Sequence, residues 1–235
     1  MNKKFKLKTI LSLKEIVFLS FEVIIPIVLY FVFNCHDYMN LIGAEIGIVS
    51  IFFLAKASLF GIGLSLLFST FYAITSLNYT YYGEAIIYFA FMIPIGIVNG
   101  IIWIINRFKG TIEVSIVSTK KKDFLIGPIV SGSLTFALFW LLRYLGTQNI
   151  ITSTISLFTS FLALYFQLKR SKYGEIFFAA NDVVLITLWI LATIDDISFI
   201  PIVICFIFLL INDIYGFFNW SKIKKKQDES NKKEV

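Results

Sequence analysis

Apolar runs of membrane-crossing length, following one another with barely a polar interval, leave this chain one kind of fold. A hydrocarbon core of roughly 30 Å takes about 20 apolar residues as a helix. Eight such runs can be marked out: 16–34, 40–58, 59–77, 84–106, 124–144, 149–168, 173–193 and 197–220. The second and third are divided only by Lys56-Ala57-Ser58. Without that break they would form one helix longer than any bilayer accommodates. Only 15% of residues are charged, against about 25% in a soluble domain, and mean hydropathy is +0.83. The expected fold class is an all-α membrane protein of about eight transmembrane helices, with no water-soluble domain.

Charge placement gives the expected orientation. With the N-terminus inside, the cytoplasmic segments are 1–15, the turn at Lys56, 107–123, 169–172 and 221–235. They hold 20 of the 21 basic residues, and only Arg143 falls on the other side. The opposite loops carry Asp37, Glu84, Asp195 and Asp196. The positive-inside rule then puts both termini in the cytoplasm of a multi-pass cell-membrane protein. The net charge of +6 follows from this placement, so nucleic acid is not an expected partner.

Shifting residue numbers by 117 maps Thr70 onto Thr187, Tyr72 onto Trp189, Phe89 onto Phe206, Phe91 onto Phe208, Ile97 onto Ile214 and Trp103 onto Trp220. The same shift lays helices 2–4 over helices 6–8. Because three helices and one linker helix separate the copies, the repeats share one orientation. The expected division is 1–39 (N-terminus and an extra first helix), 40–106 (first repeat), 107–148 (basic loop and linker helix), 149–221 (second repeat) and 222–235 (basic tail).

Polar groups are costly in hydrocarbon and usually face a bundle interior or an aqueous path. Asp182 lies beside Asn181 in helix 7, and Asp213 beside Asn212 in helix 8. Each aspartate precedes a tryptophan, Trp189 or Trp220, by seven residues, close to two turns. Each helix therefore presents a carboxylate and an aromatic plate on one stripe. That pairing suits a small molecule with a flat ring and hydroxyls. Helix 4 adds Asn99 and Trp103 on a face shared with Gly96. Trp103 and Trp220 equally fit the headgroup layer, where tryptophans anchor helices. Helix 6 carries Thr152, Ser153, Thr154, Ser156, Thr159 and Ser160, and Glu45 is a further intramembrane carboxylate. Cys35, Cys205 and the single His36 form no metal-ligand cluster. Neither a Walker A loop, HExxH, GxSxG nor a dinucleotide fingerprint occurs. No metal, cofactor or catalytic residue is expected.

The stretches AANDVVLITLWILA (179–192) and LLINDIYGFFNWSKIKKK (209–226) resemble the PnuC family of vitamin and nucleoside-like transporters. AKASLFGIGLSLLFSTFYA (55–73) and YYGEAI (81–86) are similar to that family's first repeat. The resemblance covers nearly all the chain except helix 1 and the 107–123 loop. It implies a SWEET-like core of three, one and three helices. It also implies uptake of nicotinamide riboside by facilitated diffusion, with a cytoplasmic kinase trapping the substrate by phosphorylation. On that reading Asp182, Trp189, Asp213, Trp220, Asn181, Asn212, Asn99 and Trp103 are substrate contacts. The family commonly has glutamine and tryptophan where this chain has Gly96 and Gly100, and often asparagine where it has Asp182. A deoxyribonucleoside or B-vitamin cargo (thiamine, riboflavin) is the alternative these departures favour. A membrane-embedded enzyme or accessory subunit is the rival from another class. Homo-oligomer formation is left open.

Overall fold

The structure, a computed structural model, describes residues 11–232. Lys3, Lys4, Lys6 and Lys8 of the N-terminal segment and Lys233 of the tail lie outside the described residues. Eight apolar helices follow in order: α1 (Leu13–Val32), α2 (Tyr38–Leu54), α3 (Leu59–Asn78), α4 (Tyr82–Ile105), α5 (Asp123–Leu145), α6 (Ile150–Leu168), α7 (Tyr173–Asp195) and α8 (Ile200–Lys232). Among the described residues only isolated β-bridges interrupt the helical pattern. The chain is a multi-pass membrane protein.

Local chemistry sets the starts. Ser12 and Glu15 form a reciprocal capping box at α1. The Asp37 carboxylate accepts the Met39 and Asn40 N–H groups ahead of α2, and Ser58 caps α3. The thin break at Lys56-Ala57-Ser58 is real. Ala57 takes φ 53°, and the chain reverses so tightly that a Cβ on Gly61 would fall 2.5 Å from the Leu54 nitrogen. Inside α4, residues Ile87–Met92 form a π-turn just before Pro94. Proline cannot donate to the preceding turn, and the wider π spacing absorbs the missing bond.

Two sequence-based boundaries need correction. Glu84, expected in an outer loop, is fully buried in the first turn of α4. The last helix runs to Lys232, well past its expected end at 220, so much of the basic tail is helical.

Helices α2, α3 and α4 pack in sequence as one three-helix group, and α6, α7 and α8 as another. Across the seam α2 meets α8 and α4 meets α6. Those two contacts are images of each other under the 117-residue shift. Helix α5 lies on α6, and α1 lies against α2 and α8. Phe21, Val28 and Phe31 of α1 remain outward and exposed, as lipid-facing residues do.

The loop between α4 and α5 is built into the protein. Leu59 N–H donates to Ile112 O and Val114 N–H to Ala57 O, tying it to the α2–α3 turn. Val117 N–H donates to Arg170 O in the α6–α7 turn. The buried Gln227 accepts from Ile116 N–H at 2.9 Å and donates to Val114 O at 2.9 Å. These bonds gather the α2–α3 turn, the α4–α5 loop, the α6–α7 turn and the α8 extension at one end of the bundle. The described basic residues concentrate there, and Arg143, in the last turn of α5, stands at the other.

Candidate functional site

All eight candidate residues are buried, none more than 3% exposed. They do not form one pocket wall. They divide into an aromatic cluster at one end, a middle layer of carboxyls and a pair of indoles at the other.

In the middle layer the Asp182 and Asp213 carboxyls lie close enough across α7 and α8 to act directly on each other. Glu175, not among the sequence candidates, lies close enough to act on both by charge. Room for it comes from Gly216, where a Cβ would sit 2.5 Å from Glu175 Oε2. Asp182 Oδ2, Asp213 Oδ1 and Glu175 Oε2 are buried without a hydrogen-bond partner. Among the described residues no basic side chain is paired with any of the three. Unpaired acidic oxygens in a membrane interior are costly unless something polar or cationic meets them.

Toward the acidic end stands Trp189, about 10 Å along α7 from Asp182. Its Nε1 donates to the Tyr72 hydroxyl at 2.7 Å, and its ring packs against Tyr79, Tyr81 and Phe199. Tyr72 in turn packs on Tyr88 and Phe206. Tyr81 hydroxyl closes the cluster by donating to Leu188 O. A narrow crevice of about 10 Å³ opens beside it, lined by Asn40, Gly43, Phe68, Tyr72, Thr75 and Cys205 among others.

Toward the basic end Trp103 and Trp220 meet edge to face at 5.6 Å. Both are fully buried, so the headgroup-anchor alternative fails for them. The two are used differently. Trp220 Nε1 donates to Leu54 O at 3.0 Å, and Asn219 donates to Ala55 O, so α8 caps the carbonyl end of α2. Trp103 Nε1 and Asn99 Oδ1, one turn apart on α4, have no partner.

The asparagines also separate. Asn181 Oδ1 accepts from Ser156, Thr159 and Ser160, which accounts for much of the hydroxyl content of α6 and bolts α6 to α7. Asn212 donates to Glu22 Oε1 at 2.6 Å, leaving Asn212 Oδ1 and Glu22 Oε2 unpaired. Glu22 comes from α1 and is fully buried. Sequence reasoning passed over Glu22 and Glu175, and it named Glu84 and Tyr72 without placing either in the bundle interior. A lone carboxylate in the first apolar run was a signal for Glu22. Glu84 and Glu175 stand near helix starts and read as interfacial.

The family model described as nicotinamide mononucleotide transporter matches residues 37–222. A curated nicotinamide riboside transporter PnuC from Neisseria mucosa is 22% identical over 201 residues, covering 83% of this chain and 76% of the relative. A crystal structure of the vitamin B3 transporter PnuC superposes with a TM-score of 0.81 at 22% identity, over 92% of this chain and 94% of that one.

Proposed function

Because the chain belongs to the nicotinamide mononucleotide transporter family, we propose that it takes up nicotinamide riboside by facilitated diffusion, its basic end in the cytoplasm, where phosphorylation traps the substrate. The observation that carries this reading is the buried layer of Asp182, Asp213 and Glu175 with its unpaired oxygens. Nicotinamide riboside has a permanently cationic ring and ribose hydroxyls, and a layer of carboxyls complements both. A mononucleotide would bring its phosphate into the same acidic layer, where like charge opposes it.

The aromatic groups at either end of that layer suit alternating access. Opening of the Trp189–Tyr72 cluster admits substrate, the carboxyls receive it, and separation of Trp103 from Trp220 releases it. The two three-helix groups rocking about their seam would accomplish this. Substrate flows down its own gradient, and no coupling ion is needed.

A second cargo reading has its own support. Gly96 packs so closely on α3 that a Cβ would sit 2.8 Å from Leu66 Cδ2. Helix α4 therefore lacks the larger polar contact common in the family at that position, which leaves a deoxyribonucleoside or a B vitamin (thiamine, riboflavin) as alternatives. The rival from another class, an enzyme or accessory subunit, predicts no flux from the purified chain.

One experiment tests all three. Proteoliposomes of the full chain are expected to equilibrate labelled nicotinamide riboside without an imposed ion gradient. Excess unlabelled thiamine, riboflavin and deoxyribonucleosides should compete weakly, and Asp182→Ala should abolish uptake while membrane expression is retained. Undiminished uptake by Asp182→Ala would sink the site assignment. Strong competition by another compound would change the cargo, and no flux at all would remove the transporter reading.

A further inference from the structure

At the basic end, outside the spanning region, a recess of about 310 Å³ opens between the α4–α5 loop and the α6–α7 turn. Its walls carry four cationic side chains, Lys120, Lys122, Lys169 and Arg170, against one carboxylate, Asp123. That carboxylate is already engaged. It accepts from Lys120 N–H and the Tyr165 hydroxyl, and pairs with Lys169 at 3.9 Å. Lys120, Lys122 and Arg170 form no ion pair with a carboxylate among the described residues, although Lys122 lies near enough to Asp123 to act on it by charge.

Arg170 is the informative member. It is half-buried, and burial pulls its guanidinium below the ordinary arginine value. A cation taken out of water without a counter-charge is unfavourable until an anion arrives. Its backbone sits at φ 54°, a conformation unfavourable for a residue with a side chain. Val117 N–H, bonded to Arg170 O, holds the turn there. The hydroxyls of Thr119 and Ser171 are hydrogen-bonded to each other, which leaves one O–H as a further donor on the same wall. A planar fork of donors beside ammonium groups and hydroxyls is the chemistry that recognises phosphate oxygens.

We propose that this recess is a phosphate-binding site, distinct from the carboxyl layer, that takes a phosphomonoester, free phosphate or an anionic lipid headgroup. Ile102 forms part of its wall, one residue before Trp103, so an occupied site abuts the helix that bears that tryptophan.

The test uses the purified full chain in nanodiscs of zwitterionic phosphatidylcholine, titrated with inorganic phosphate or adenosine monophosphate at constant ionic strength. A parallel set contains phosphatidylglycerol, and thermal stability is the readout. A saturable rise in Tm with the soluble anions identifies a free phosphate ligand, and a rise only with phosphatidylglycerol identifies a headgroup; either supports the site. Arg170→Gln with Lys122→Gln should weaken the apparent affinity about a hundredfold, roughly tenfold for each charge-assisted hydrogen bond removed. Lys225→Gln with Lys226→Gln, on the α8 extension, should leave it unchanged. Should the double variant fail to fold, the single exposed Lys120→Gln supplies the same comparison. No saturable response to any probe, an equal response to chloride, or an equal response in the recess and control variants would overturn the proposal. These readouts involve no transport, so the proposed cargo can fail without affecting them.

Discussion

At the scale of single residues, the two members of the indole pair give opposite forecasts. Trp220 spends its N–H on the end of α2, so Trp220→Phe should lower stability by about 1 kcal/mol, the usual loss for one intramolecular hydrogen bond. Trp103 has no such bond to lose. Trp103→Phe should lower Tm through lost packing alone, and so by less than Trp220→Phe, yet alter nicotinamide riboside uptake. Thermal unfolding and flux measured on both variants decide it, and equal destabilisation would contradict the asymmetry. Glu22 offers a second comparison. Glu22→Leu removes the acceptor for the Asn212 amide and should destabilise, whereas Glu22→Gln keeps an acceptor oxygen and should retain most stability. If both variants melt alike, the hydrogen bond is not what Glu22 contributes. Position along a helix was legible for Asp182, Asp213 and the tryptophans because seven-residue spacing needs no tertiary knowledge. Which atom each side chain bonds was not, since the partners lie on other helices: Tyr72 for Trp189, Leu54 for Trp220, α6 hydroxyls for Asn181.

Among elements, the α8 extension departs furthest from what hydropathy suggests. A window tuned to apolar runs stops at Trp220, where lysines begin. The helix continues because the Gln227 side chain replaces water for two backbone groups of the α4–α5 loop. Gln227→Leu should therefore loosen that loop. Amide exchange at Val114–Val117 is expected to rise, with the rest of the bundle protected; unchanged exchange would mean that the bonds to the α2–α3 turn suffice. The same loop was read as a basic connector because its ties run to residues far away in sequence. Apolar runs placed the helix starts near 16, 40 and 59, and the structure sets them at the caps Ser12, Asp37 and Ser58. The π-turn before Pro94 was not legible, because proline signals a disrupted bond without saying how the chain accommodates it.

For the whole molecule, the eight helices and their order follow from segment length and charge breaks, which the bilayer constrains strongly. Their grouping was visible only through the 117-residue offset, and it reappears as the paired seam contacts α2–α8 and α4–α6. The expected orientation is tested by single cysteines in intact cells. Lys225→Cys should react with a membrane-impermeant maleimide only after permeabilisation, and Arg143→Cys before it. Cys35 and Cys205 are both buried, so the background should be low; the reverse labelling order would invert the molecule.

The offset also fixes who touches whom. Tyr72 bonds Trp189, and Trp103 packs on Trp220, each residue meeting its own counterpart. A side chain that touches its counterpart stands on the axis relating the two halves. In a symmetric pair of separate chains, both occupants of such a place must be the same amino acid. Two indoles there offer two donors and no lone pair to receive them, which is the condition Trp103 and Trp220 still show. Joining the halves in one polypeptide releases the constraint. At the end away from the basic loops, one copy holds a phenol and the other an indole, and this mixed couple makes the bond that matched tryptophans could not.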